Sequence, residues 1–260
     1  MPKILGPVKF VQSLGPVNFG NKPVSQWLVA GATEFVATTL FALLGGSGAA
    51  LSQDSGALEY GLVLTVLIYM TQSKCNPAVS LAVYLSNVTW FNTVLWLVET
   101  GAQFSGAIAG YAIMKNLLNS DELARRACFT TNLVPDLKAF GWEFFVGVTL
   151  VLTVLSTAVD ARGAARYGST APIAIGLALY VAAQVAGVFT GGAGNPALYL
   201  GPNIGVGHCP QGLKKWYVYM GGHFLAAVTG FAVYGLHELI QLFVIEAVVL
   251  PGLGAKKAFR

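Results

Sequence analysis

Charge is scarce in this chain: 11 acidic and 15 basic residues among 260, 10% in all, against roughly 25% in an ordinary soluble domain. That shortage excludes a water-bathed globule, and with 55% of residues hydrophobic it makes the bilayer the solvent. Histidine and cysteine are equally sparse, three of each. His208, His223 and His237 lie scattered without metal-ligand spacing, so no metal is expected. There is no phosphate-binding glycine pattern, no nucleophile elbow and no basic cluster, so neither an enzyme, a cofactor nor a nucleic-acid partner is expected. Strand-type alternation is missing too, which removes a barrel.

What is present is a series of apolar runs. Six read as membrane-spanning helices, at about 26–47, 57–73, 90–114, 139–159, 170–189 and 216–240. Two further segments, starting at Pro77 and Pro196, are only about ten residues long and cannot cross alone. They read as re-entrant half-helices. The opening MPKILGPVKFVQSLGPVNFGNKP is broken by Gly and Pro and lacks a compact apolar core, so the first span is expected to serve as the insertion signal. Trp27, Trp90, Trp142 and Trp216 fall near span starts, where an aromatic belt anchors helices. With both termini on the cytoplasmic face, nine Lys and Arg lie inside and six outside, the expected bias. HELIQLFVIEAVVLPGLG, after the sixth span, either extends it or lies along the interface.

The chain repeats itself. Glu34-Phe35 in the first span recurs as Glu143-Phe144 in the fourth, and each is followed by a further span and then Asn-Pro-Ala: SKCNPAVSLA, then GGAGNPALYL. The halves, about 26–114 and 139–240 of a single domain over 1–260, each read span, span, half-helix, span. An odd number of spans turns the second copy upside down, so the half-helices face each other across the membrane.

The triplet follows from that geometry. A half-helix ending in mid-membrane leaves free N–H groups and a positive dipole end there, tolerable only beside a wet cavity. Pro77 and Pro196 at the first helical position waste no donor, and Ala78 and Ala197 permit close packing. Asn76 and Asn195 can cap their helices and aim amide N–H groups at the lumen, forming a donor-only constriction that suits water and opposes cations and protons.

On these residues the sequence resembles the aquaporin, or major intrinsic protein, family over nearly its whole length. Supporting pieces are Glu34 and Glu143, Gln103 with Gly106 and Gly110, and Thr190, Gly191 and Gly201-Pro202 around the second triplet. The resemblance implies an all-α, six-helix inverted-repeat fold, a homotetramer in the bilayer with one pore per subunit, and Glu34 and Glu143 as supports of the re-entrant loops.

The departures are as telling. The family's usual arginine after the second triplet is Leu198 here. By the resemblance its filter positions correspond to Tyr60, Ala183 or a neighbour on the fifth span, Gly192 and Leu198, a ring with one phenol and no fixed charge, similar to that of the unorthodox, often intracellular members. Glycerol conductors usually carry arginine then aspartate; this chain has Leu198-Tyr199. Before the first triplet TQSKC replaces a Ser-Gly-x-His-x pattern, about four residues closer to the aromatic-glycine pair Tyr60-Gly61 than usual. Lys74 takes the histidine's place, either snorkelling to the interface or lending positive charge to the inner vestibule. Cys75 beside it is a candidate for mercurial block. Glu59 is expected near the outer interface and Glu99 to satisfy backbone groups in the bundle. Cys128 and Cys209 share the outer face, where a disulfide and free thiols are both open. His208 beside Cys209 reads either as a loop residue or as a pH sensor.

Three functions fit: a passive channel for water and small neutral solutes such as glycerol, ammonia or hydrogen peroxide; a cation-leaky or gated ion channel; or a structural membrane protein with its mouth closed by Tyr60 and Leu198. The intact triplets favour the first, in a plasma or intracellular membrane.

Overall fold

The computed structural model describes residues 23–45, 56–131, 134–207, 209 and 212–244. Ten α-helices lie among them: α1 (Pro23–Leu40), α2 (Gly56–Thr71), α3 (Pro77–Ser86), α4 (Trp90–Leu117), α5 (Ser120–Arg126), α6 (Asp136–Val154), α7 (Ala161–Tyr167), α8 (Ala171–Thr190), α9 (Pro196–Gly205) and α10 (Gly222–Val244). Single π turns extend α1 to Gly45 and α6 to Val159, and another at Tyr217–Gly221 leads into α10. The six spans thus match the expected ones, the third running on to Leu117 and the sixth to Val244. The tail after residue 244, the opening segment and His208 lie outside the described residues.

Helix pairing follows the repeat. α1 packs on α4 as α6 packs on α10, while α2 and α8 cross each other at the centre. Each half-helix packs on the long helix of the other half, α9 against α4 and α3 against α10, so the two halves interlock. The outer surface is lipid-like: Leu62, Val66 and Met70 on α2, and Leu177, Val181 and Val185 on α8, form exposed stripes at helical spacing.

Between helices in lipid, attraction comes from close packing at small residues. At the α2–α8 crossing a Cβ on Gly61 would stand 2.4 Å from the Gly176 carbonyl, and one on Gly106 of α4 would stand 2.5 Å from the Phe35 carbonyl on α1. Backbone meets backbone at both places.

The two membrane faces are tied differently. On the face expected to be the outer one Cys128 and Cys209 are joined in a disulfide with Cα atoms 5.4 Å apart, which answers the question the sequence left open and agrees with the oxidising side that expectation gives it. On the inner face Asp160 caps α7 and accepts hydrogen bonds from Arg162 and Tyr234, and Arg162 also reaches Glu238. Partial burial works to raise the Asp160 pKa, but these donors outweigh it and hold the carboxyl below its ordinary range.

Gly61→Ala is expected to destabilise the protein by about 1–3 kcal/mol through overpacking, read by thermal unfolding in detergent. Gly101→Ala, where a Cβ meets nothing within 4 Å, should be neutral or gain up to about 1 kcal/mol from helix propensity. Equal responses at the two glycines would contradict the close crossing of α2 and α8.

Candidate permeation site

Each half-helix begins at an asparagine with the same backbone, φ −153° and ψ 115°. Asn76 Oδ1 accepts from Ala78 N at 2.9 Å, and Asn195 Oδ1 accepts from Ala197 N at 2.9 Å, with Pro77 and Pro196 opening the helices. The amide nitrogens then cross over: Asn76 Nδ2 donates to the Gly194 carbonyl at 2.8 Å, and Asn195 Nδ2 donates to the Cys75 carbonyl at 2.7 Å. Each amide therefore spends one of its two N–H groups on the opposite loop and keeps one, where the sequence reading had assigned both to the lumen.

The loops before the asparagines hang from two carboxylates. Glu34 on α1 accepts from Lys74 N at 2.7 Å and Cys75 N at 2.9 Å. Glu143 on α6 accepts from Ala193 N at 3.2 Å and Gly194 N at 3.1 Å. Each carboxylate also meets the long helix of its own half: Gln103 Nε2 on α4 lies 2.9 Å from Glu34, and His223 Nε2 on α10 lies 2.6 Å from Glu143. Even the loop entries match, with Ser73 N on Thr71 Oγ1 and Gly192 N on Thr190 Oγ1, both at 3.2 Å.

One difference between the loops is strain. Gly191 and Gly194 have φ of +83° and +57°; the equivalent residues of the first loop, Gln72 and Cys75, have +58° and +52°. A side chain in the left-handed region costs about 1–2 kcal/mol. The first loop sustains that cost twice where the second uses glycine.

Of the expected filter residues, Tyr60 and Ala183 meet the second loop. Tyr60 is fully buried, stacks on Phe41 at 5.0 Å between ring centroids, and donates its hydroxyl to the Ala193 carbonyl at 2.5 Å. A Cβ on Gly192 would stand 2.9 Å from Ala183 Cα, so these two form one close contact on the wall. Leu198, in the first turn of α9, has no exposed surface. On the inner side a cavity of about 30 Å³ is bounded by Leu64, Ile68, Val79 and Leu150 with Ser73 and Lys74, room for a water or two.

Several readings change. Lys74 neither snorkels nor stands as a free charge: its ammonium lies 2.7 Å from Glu99 and 3.8 Å from Glu34, and is nearly buried. Glu99 accordingly serves the lysine in place of backbone groups, because a carboxylate inside a bundle needs a cation or several donors. The Cys75 thiol is fully buried; it is the carbonyl of Cys75 that meets Asn195. Glu59 is half-buried at the start of α2. Sequence reasoning missed His223 altogether as a site residue, and the Lys74–Glu99 pairing. The first had a signal: His223 stands in the sixth span where Gln103 stands in the third.

A family model described as major intrinsic protein matches residues 23–234. Aquaporin A of Dictyostelium discoideum is 35% identical over 179 residues, 66% of this chain and 63% of that protein. Aquaporin-1 of Rhizophagus irregularis is 30% identical over 221 residues, 76% of each chain, and Aquaporin NIP2-2 of Zea mays 26% over 209 residues, 78% of this chain and 68% of that one. The X-ray structure of the aquaglyceroporin from Plasmodium falciparum aligns with a TM-score of 0.60 at 18% identity, covering 88% of this chain and 99% of that one, a likeness of fold. Half-helices, crossed asparagines and a family match over most of the chain lead to one conclusion: this multi-pass membrane protein belongs to the major intrinsic protein family of channels for water and small solutes.

Proposed function

We propose that the protein is a passive channel in which water passes between Asn76 and Asn195, with an outer ring of Tyr60, Ala183, Gly192 and Leu198 setting which small neutral solutes follow. The observation that carries this reading is the crossing of the two asparagine amides onto the opposite loop's carbonyls. It leaves one N–H per asparagine, fixed in direction, beside two helix N-termini. A permeant oxygen can accept there, while a cation meets donors and positive dipole ends. Two loop-supporting carboxylates, Glu34 and Glu143, hold the arrangement. Glycerol, ammonia and hydrogen peroxide are the solute classes an uncharged ring admits, and by resemblance the assembly is a homotetramer with one pore per copy.

An ion-channel reading draws on Leu198, which supplies no repelling charge. Lys74 does not replace that charge, because its ammonium is paired with Glu99 at 2.7 Å. Against ion conduction stands the absence of charge along the outer ring: a cation shed of water would gain only one phenol and backbone carbonyls in return.

In proteoliposomes, Asn195→Ala should lower the ratio of water to proton permeability about ten-fold, a change of roughly 1.4 kcal/mol; an unchanged ratio and unchanged flux would remove the asparagine from its central role. Leu198→Arg should lower glycerol flux relative to water about ten-fold or more, since a long cation narrows the mouth. If solute discrimination stayed put, the ring would lie elsewhere. Lys74→Met should cost about 3–5 kcal/mol by leaving Glu99 buried without its cation, and the double change Lys74→Met with Glu99→Leu should recover most of it. Thermal unfolding of the three proteins decides, with additive losses counting against the pair.

A further inference from the structure

Wet and dry parts of the path meet at one residue. The inner cavity reaches outward along α2 as far as Leu64, one helical turn from Tyr60. Among the described residues, those placed around the outer ring are closed to water: Tyr60, Ala193 and Leu198 are each 0% exposed and Ala183 is 2% exposed. The path is therefore shut at the outer ring, on the side away from the cavity.

The closure has a specific bond in it. Tyr60 belongs to the first half of the chain, and its hydroxyl donates at 2.5 Å to the Ala193 carbonyl in the second. That peptide is held from its other side as well, its N–H, on Gly194, donating to Glu143 at 3.1 Å, so the carbonyl's direction is set by the scaffold. The ring of Tyr60 is steadied by its stack on Phe41. A buried carbonyl two residues before the constriction asparagine is an acceptor that a passing solute would need, since the apolar side chains around it offer none.

We propose that Tyr60 is the gate of the outer mouth, its hydroxyl occupying the Ala193 carbonyl in the closed state and ceding it to a permeant that can itself donate a hydrogen bond. This rests on the channel reading above. Exchange of one neutral hydrogen bond for another is nearly balanced, so water, ammonia, hydrogen peroxide or a polyol can take over the carbonyl as the phenol swings aside. A solute with no donor has nothing to exchange and finds the gate shut. The hydroxyl thereby makes hydrogen-bond donation a condition of entry, a filter by chemistry where the ring carries no charge.

The test is stopped-flow water flux in proteoliposomes containing the full-length protein or Tyr60→Phe, which keeps the ring and its stack but removes the donor. Flux should rise between about two-fold and about ten-fold, the population change expected when a bond of ordinary net strength is lost. Its temperature dependence should become shallower. Equal or lower flux in a folded Tyr60→Phe protein would overturn the gate while leaving the channel reading intact, whereas no flux above empty vesicles from either protein would overturn both. Should the variant fail to fold, the unmodified protein still decides: flux with the shallow temperature dependence of an open water path would exclude a latch that must break before each passage.

Discussion

Backbone that stops being helical in the middle of a membrane has no water to turn to, and the rest of this structure is arranged around that fact. Two loops enter the bilayer, turn, and become half-helices. Their exposed N–H groups would each cost as much as a lost hydrogen bond or more. Glu34 and Glu143 remove the cost by taking two consecutive N–H groups apiece. The carboxylates are themselves buried, 3% and 0% exposed, and survive there because Gln103 and His223 supply further donors. Remove the carboxylates and the asparagines lose the backbone that aims them.

The two halves solve this problem with the same geometry and different side chains. Gln103 can give one N–H to Glu34 and another to Ser80 on α3, both at 2.9 Å. His223 gives its single Nε2–H to Glu143, and its Nδ1 is left without a partner in the described structure. The first loop places Gln72 and Cys75 in left-handed conformations that glycine takes freely in the second. It also places Lys74 where the second loop has Ala193, and that lysine brings Glu99 with it. The first loop thus carries more strain and more charge than the second. Its inner vestibule is the polar one, with Ser73 and Lys74 in the cavity wall.

Much of the architecture was legible because it follows from period and length. Six long apolar runs and two short ones, with Glu and Asn-Pro-Ala repeated in order, leave few arrangements in a bilayer, and the helix ends fell within a few residues of the expected ones. Pairings between distant side chains were not legible. Lys74 and Glu99 sit 25 residues apart on elements whose relative rotation no local pattern encodes, so the lysine could be read as a snorkelling residue. Cys75 looked like a thiol facing a pore. Its positive φ turns the side chain into the protein, and its carbonyl faces Asn195 instead. For Cys128 and Cys209 the topology placed both on one face, and only the fold brings their Cα atoms within bonding range.

Where the family commonly carries arginine this chain has Leu198, and in the proposed outer ring, which then has no charge, discrimination must come from elsewhere. The remaining fixed polarity is concentrated at the asparagines, two helix dipoles and the spare amide N–H groups. Lys74 adds no free positive charge, since its ammonium lies 2.7 Å from Glu99 and 3.8 Å from Glu34. An entering ion would lose hydration at the apolar ring before it reached any compensating group. A neutral solute pays far less, because each of its hydrogen bonds can be replaced one at a time by a carbonyl or an amide. On the proposed function, an uncharged ring outside a donor-lined constriction would select by the cost of dehydration first and by hydrogen-bond chemistry second, so that a pore without the arginine would stay closed to ions and still admit small neutral solutes.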